Sequence, residues 1–212
     1  MEDDLPQRPI ENKSNLGIQD YLSIGYMFLL VLGVVHETIY YKFLGVNILD
    51  YSSVLDVLIS PIAVMTGNLV LGLAVVFSMI LAYTFVKLTP KYHNWLRKKA
   101  KYQSGKNKLK LEKADAKFKK KNAVVTMIAF YVFSVFIGLG IGSGHKTKQR
   151  IETNDYKITH QLTFDDGNAQ NIKMLGKNSL YVFYVIKGNP EVIIAPIEGN
   201  IKMIKKLNKD NN

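Results

Sequence analysis

Three long runs of apolar residues alternate with polar segments along this 212-residue chain. They cover residues 21–41, 61–88 and 122–144, and each is as long as the roughly 20 helical residues that cross a bilayer core of ~30 Å. The formal charges inside them are Glu37 and, at the end of the second run, Lys87. The remaining chain is too short to cover three helices that are apolar on every side. The pattern therefore predicts three transmembrane helices.

A polar repeat separates the first two predicted spans. Asp50, Ser53 and Asp56 recur every three residues, and most of the positions between them are apolar. This spacing predicts a short amphipathic helix over residues 48–59 that lies in the membrane interface. A Ser-Pro pair at residues 60–61 is typical of a helix start, so we expect the second span to begin there.

The hydrophobic period changes to two near residue 155, which is typical of half-buried strands. The turn sequences DDGN, GKNS and KGNP separate the apolar runs that follow. Five elements, the last of them a strand or a short helix, fit a small SH3-like or OB-like barrel. The sequence thus predicts a membrane α-helical domain over residues 21–144 and an all-β module over residues 145–212.

Positive charge is concentrated between the second and third spans. Residues 88–121 hold thirteen Lys and Arg against two acidic residues, a net +11 that equals the charge of the whole chain. Their composition favours helix, so residues 89–121 are expected to form a helical hairpin with a turn at SGKN. Because Lys and Arg near span ends stay in the cytoplasm, this hairpin and the polar tail of residues 1–20 should be cytoplasmic.

The same rule places the β-module outside the cytoplasm, in the periplasm or the extracellular space of a cell with a bacterial inner (plasma) membrane. Three basic residues directly after the third span argue against this orientation, but the ten that flank the hairpin ends outnumber them.

Basic and aromatic residues alternate in the hairpin, which indicates contact with anionic lipid, at ~1 kcal/mol for each basic group near the surface. A solvated topology signal alone is the simpler alternative, and nucleic-acid binding is not expected because no recognition motif is present. The residues expected at the lipid headgroups are Trp95, Arg97, Lys98, Lys99, Lys119, Lys120 and Lys121.

Small residues recur every four positions in the second and third spans. Such rows let helix backbones approach closely, within one chain or between copies. A pore lining or a hinge is the alternative interpretation. The rows expected to pack are Ala74, Ser78 and Ala82 in the second span, and Ser134, Gly138 and Gly142 in the third. Gly140 and Gly144 form a further row in the third span.

Five polar groups could converge at the outer end of the first two spans: His36, Glu37, Asp50, Asp56 and Asn68. Ionisable groups at membrane depth are usually functional, so they are a candidate ion or proton site. The alternative is that they lie near the interface and are simply hydrated. No metal-ligand spacing such as His-x-x-x-His is present, so no metal site is expected.

The absence of cysteine excludes disulfides, thiolate metal sites and a cysteine nucleophile. No sequence pattern of a catalytic set or a nucleotide loop is present. We therefore expect a non-enzymatic multi-pass membrane protein without a cofactor, whose β-module binds a protein partner or forms a homo-oligomer. The alternatives are a subunit of an oligomeric channel, a membrane-disrupting effector and, with less support, an enzyme that uses the four ionisable groups above.

Overall fold

The computed structural model describes residues 17–67, 69–118 and 123–207. Within these ranges the helices are α1 Ile18–Phe43, α2 Val54–Gly67, α3 Leu69–Arg97, α4 Gly105–Phe118 and α5 Ala123–Glu152. The strands are β1 His160–Phe164, β2 Ala169–Lys177, β3 Tyr181–Val185, β4 Ile193–Pro196 and β5 Ile201–Lys206. Short 3₁₀ turns cover Ile48–Asp50 and Ala100–Tyr102.

Three of the described helices are long and apolar enough to cross a membrane. These segments are Ile18–Phe43, Gly72–Arg97 and Val125–Glu152, of 26, 26 and 28 residues. The prediction of three helices able to span a bilayer is therefore confirmed by length and composition.

Helices α1 and α5 run parallel and pack closely. Phe136 packs against Leu32, and a Cβ at Gly140 would lie 3.2 Å from the His36 carbonyl oxygen. One turn further along both helices, a Cβ at Gly144 would lie 3.0 Å from the carbonyl oxygen of residue 40. The first and last of three alternating spans must run in the same direction, as these two helices do.

The segment between α1 and α3 differs from its predicted boundaries. The interfacial helix expected over residues 48–59 is a 3₁₀ turn followed by α2, which begins at Val54 and runs through Pro61. Ser53 and Asp56 set this start. The Ser53 hydroxyl accepts from the Asp56 amide at 3.2 Å, and the Asp56 carboxylate accepts from the Ser53 amide at 3.0 Å. This reciprocal capping box takes precedence over the Ser-Pro signal.

Helix α2 is not the first part of a straight second span. A Cβ at Gly72 would collide with the Met65 carbonyl oxygen, whereas residues seven apart in one straight helix are separated by ~10 Å along its axis. The chain therefore changes direction between α2 and α3, and the span-length helix starts near Gly72 instead of Pro61. Asn68 lies outside the described residues.

Two further boundaries differ from the predictions. Helix α5 continues eight residues past Gly144, because no helix breaker follows it and Lys148 pairs with Glu152 at 3.7 Å one turn later. The β-module therefore begins after residue 152 and not at residue 145. Helix α3 runs through Pro90 to Arg97, so the helix expected in the first half of residues 89–121 continues the second span without a break.

The β-module is an antiparallel sheet with strand order β4-β3-β2-β1-β5. A four-residue connection, 197–200, joins β4 to β5 although they lie at opposite edges, so the sheet must curl. Accordingly, Ile193 of β4 and Ile204 of β5 pack against one cluster around Leu162 and Ile172. Among the described residues no ladder joins β4 to β5. The five-stranded antiparallel module is confirmed, its closure is not found, and the barrel type stays a prediction.

Strand β3 is buried on both faces of the sheet, which explains its continuous apolar sequence. Val182 and Tyr184 belong to the core of the sheet. Phe183 and Val185 alternate with them and pack toward the ends of α1 and α5. The sheet therefore rests directly on the ends of the helices.

Candidate functional site

Aromatic side chains join the sheet to α1. The rings of Tyr41 and Phe183 lie 4.9 Å apart between centroids, and those of Tyr51 and Tyr181 lie 5.3 Å apart. Gly176 sits at an irregularity of β2, where a Cβ would collide with the Tyr41 hydroxyl. Helix and sheet thus share one buried cluster with no room for larger residues at the contact.

Asp56 links the start of α2 to the turn between β2 and β3. Its carboxylate accepts the Ser179 amide at 3.1 Å, the Ser179 hydroxyl at 2.9 Å and the Ser53 hydroxyl at 2.6 Å. Next to it, the Asn178 side-chain amide donates to the Tyr51 carbonyl at 2.7 Å. Burial by itself would raise the pKa of Asp56, but the hydrogen bonds from Ser53 and Ser179 hold it below its ordinary value.

A cavity of about 190 Å³ lies beside these contacts, between α1, α2 and the β2–β3 turn. Its polar lining consists of Glu37, Ser52, Asp56, Ser60, Lys177 and Asn178. Two carboxylates and one exposed lysine therefore face the same small space.

Glu37 has little compensation for its charge. It accepts a hydrogen bond from the Ser60 hydroxyl, and among the described residues no Lys or Arg nitrogen lies within 4 Å of it. His36 is 6% exposed, and its Nδ1 lies 3.6 Å from Glu37 Oε1, beyond hydrogen-bond distance. Within the described part of the chain this Nδ1 has no hydrogen-bond partner. A carboxylate in this position favours an additional cation or proton donor.

The structure brings together some of the residues predicted for the ion or proton site. Glu37 and Asp56 line one cavity, and His36 contacts Glu37. Asp50 is exposed on the 3₁₀ turn and does not line the cavity, and Asn68 lies outside the described residues. In residues 17–67, 69–118 and 123–207, no group of three or more His, Cys, Asp or Glu could hold a metal.

Four polar residues of this cavity were not predicted for the site: Ser52, Ser60, Lys177 and Asn178. Lys177 ends β2 and Asn178 begins the β2–β3 turn, at least 110 positions after α2. The turn sequence GKNS predicted the turn but carried no signal for where the turn would dock.

The helix-packing residues fall into two groups. Ser134 is exposed, and a Cβ at Gly138 or Gly142 would have no atom within 4 Å. This row therefore contacts no other helix among the described residues of the chain. The row of Gly140 and Gly144 packs against α1 instead. In α3, Ala74 is exposed and Ser78 and Ala82 are half-buried. Packing of the exposed row between copies stays a prediction.

Helices α3 and α4 are joined through one carboxylate. Asp115 pairs with Arg97 and lies 2.6 Å from His93 Nδ1. Burial would raise the pKa of Asp115, but the hydrogen bond with His93 and the Arg97 charge hold it below its ordinary value. On the same helix end, Lys99 Nζ lies 3.7 Å from the Trp95 ring centroid. Lys98 and Lys99 are exposed, and Lys119, Lys120 and Lys121 lie outside the described residues.

No protein-family model, curated protein or solved structure matches this chain. Its function has to be inferred from its own residues.

Proposed function

We propose that the chain is a non-enzymatic multi-pass membrane protein whose β-module binds a protein partner or a second copy of the chain. The supporting observation is the way the module is held. One face contacts the helices through Phe183 and through the Asp56–Ser179 hydrogen bonds, whereas edge strand β5 exposes Lys202, Met203, Lys205 and Lys206. An edge strand offers unpaired backbone groups to another chain.

A photo-crosslinking amino acid at Met203 tests this proposal in native membranes. Leu180 is the matched control, because the two side chains are 49% and 50% exposed and Leu180 lies outside the strands. We expect a discrete crosslinked product from Met203 and none from Leu180. A product of twice the chain mass indicates self-association, and another discrete mass indicates a partner protein. Equal products from both positions would contradict the assignment of β5.

We further propose that the chain lies in a bacterial inner membrane, with the basic hairpin in the cytoplasm and the β-module on the opposite side. The excess of Lys and Arg in residues 88–121 supports this orientation. The parallel course of α1 and α5 supports it as well, because both helices end on the side of the module.

Contact of the hairpin with anionic lipid is part of the same proposal. Trp95 is the single tryptophan of the chain, so its emission reports on the end of α3. Transfer from neutral to anionic nanodiscs should shift this emission to the blue, and about 1 M salt should reverse the shift because it screens charge beyond ~3 Å. An unchanged spectrum would contradict contact of the hairpin with anionic lipid, and its lysines would then act only as a topology signal.

The second candidate function is an oligomeric channel or a membrane-disrupting effector. It is favoured by the row of Ser134, Gly138 and Gly142, which lies exposed on α5 and could pack against another copy. A native mass of several chains together with conductance in planar bilayers would support this candidate. A monomer without conductance would remove it.

A further inference from the structure

We propose that the cavity beside Glu37, together with the apolar groove next to it, binds one phospholipid with a primary-amine headgroup, such as phosphatidylethanolamine. This inference goes beyond the proposed function and requires only that α1 and α2 lie in the bilayer.

The apolar part of the site is a groove of about 950 Å³ between the first half of α1 and the face of α2 that carries Leu58 and Ile62. Its walls include Leu22, Tyr26, Leu29, Leu58, Ile59 and Ile62. Leu22, Ile59 and Ile62 are each more than half exposed. The α1 residues belong to a helix long and apolar enough to span a membrane, so in a bilayer the groove lies at the depth of acyl chains.

Ile59 lines both the polar cavity and the apolar groove. The two spaces therefore adjoin, with carboxylates and hydroxyls on one side of Ile59 and only weakly polar walls on the other. This arrangement matches a ligand with a polar headgroup and an apolar chain. A small polar solute would leave the groove unused, and a plain hydrocarbon would leave the carboxylates without a partner.

The charges of the cavity select the headgroup. Asp56 already accepts several hydrogen bonds, from Ser53 and Ser179. Glu37 accepts one from Ser60 and lies 3.6 Å from the buried Nδ1 of His36, which has no hydrogen-bond partner among the described residues. A primary ammonium next to Glu37 supplies both a positive charge and three N–H donors.

Lys177 completes the match for a zwitterionic headgroup. It is exposed in the lining of the same cavity, where its ammonium can face the lipid phosphate. A choline headgroup has no N–H to donate to Glu37. A glycerol headgroup has no positive charge to set against the two carboxylates, which favours the ethanolamine lipid over both.

Native mass spectrometry of the purified full chain tests the proposal, with phosphatidylethanolamine, phosphatidylcholine and phosphatidylglycerol of identical acyl chains added one at a time. We expect the ethanolamine lipid to be retained at least about tenfold better than either of the others, as for one charged hydrogen bond. E37Q should reduce its retention to that of the choline lipid. D50N is the matched control, since Asp50 lies on the neighbouring turn and outside the cavity.

A second pair of variants tests the link between cavity and groove. I59W fills the shared wall and should abolish retention of the ethanolamine lipid. L55W places the same side chain on an exposed position of α2 that lines neither space, and it should bind as the wild type does. Thermal unfolding without added lipid checks that all four variants fold.

Equal retention of the three lipids, or wild-type binding by folded E37Q and I59W, would overturn the proposal. Preferential retention of the glycerol lipid that is lost in high salt would also overturn it, and would assign lipid binding to the basic hairpin. Flotation of the chain with liposomes tests membrane insertion separately, so a failure of the lipid site and a failure of the proposed function can be distinguished.

Discussion

At the scale of single residues, Gly33 shows how a missing side chain positions a helix. Pro61 has no N–H, so the carbonyl of Val57, four residues earlier, has no helical hydrogen-bond donor. That carbonyl lies against Gly33 of α1, where a Cβ would collide with it. A Cα–H of glycine can approach such an oxygen closely and contribute a weak hydrogen bond. The proline in α2 and the glycine in α1 are therefore one packing feature.

Replacing Gly33 by alanine should push α2 away from α1. We expect G33A to lower the stability of the purified protein by about 1–3 kcal/mol, as overpacking does, and to lower the thermal unfolding temperature. G25A is the control: Gly25 lies in the same helix with nothing within 4 Å of its Cβ position, and alanine favours helix over glycine by about 0.5–1 kcal/mol. Equal unfolding temperatures for the two variants would contradict this account.

Asp56 should make the docking of the β-module sensitive to acid. Its pKa is held below the ordinary value of 3.8, so its contribution is complete above that value and is lost as the pH falls through the lower, folded-state pKa. D56N should remove this dependence and speed hydrogen exchange of the Ser179 amide by about tenfold at neutral pH, because a hydrogen bond to a charged acceptor contributes ~1.5–3 kcal/mol. D50N should change neither quantity, and protection of Ser179 in D56N equal to the wild type would refute the role.

At the scale of elements, periodicity predicted what each segment is but not where it ends. The apolar runs and the alternation after residue 155 indicated the long helices and the strands that the structure contains. The start of α2 was misplaced because two start signals compete, and the reciprocal bonds of Ser53 and Asp56 prevail over the Ser-Pro pair.

The candidate site was predictable only in part, because the sequence pattern does not show which distant segments pack together. Glu37 and Asp56 are carboxylates within apolar sequence, and this is enough to identify them as candidate site residues from the sequence alone. Lys177 and Asn178 sit in an ordinary polar turn, and only the docking of the sheet brings that turn to the cavity. Asp50 had the right spacing for one amphipathic face, but the 3₁₀ turn ends at Asp50, so the helical register does not extend to α2.

The two glycine rows of α5 should respond differently to substitution. A Cβ at Gly144 would lie 2.8 Å from a Phe43 ring carbon, whereas nothing lies within 4 Å of the same position at Gly142. We expect G144A to destabilise the chain by about 1–3 kcal/mol in thermal or denaturant unfolding, and G142A to leave the stability of the monomer unchanged or slightly raised. Similar losses of stability in G144A and G142A would show that the exposed row is packed as well. A native mass of two chains would then identify a second copy as the packing partner.

At the scale of the whole molecule, the helices and the sheet are joined at one end and the basic hairpin projects at the other. The sheet covers the ends of α1 and α5, with contacts that involve Tyr41, Phe183 and Ile151. The opposite end holds α4, tied to α3 through Asp115. The proposed lipid site lies on the module side of this axis and the lysine-rich surface at the far end, so the orientation of the chain decides which leaflet each contacts.

Reporter fusions at the two ends of this axis test the orientation directly. A fusion at Gly105, the first residue of α4, should be active only with a cytoplasmic reporter, and one after Lys206, at the end of β5, only with a periplasmic reporter. The physical reason is the retention of Lys and Arg near span ends, which is strongest within ~15–20 residues of the membrane. Neutralising the lysines and arginine of residues 91–101 should weaken this preference, whereas the same number of changes within β5 and the β-turns should not. The reverse activity pattern would place the β-module in the cytoplasm, and the partner of β5 would then have to be a cytoplasmic protein.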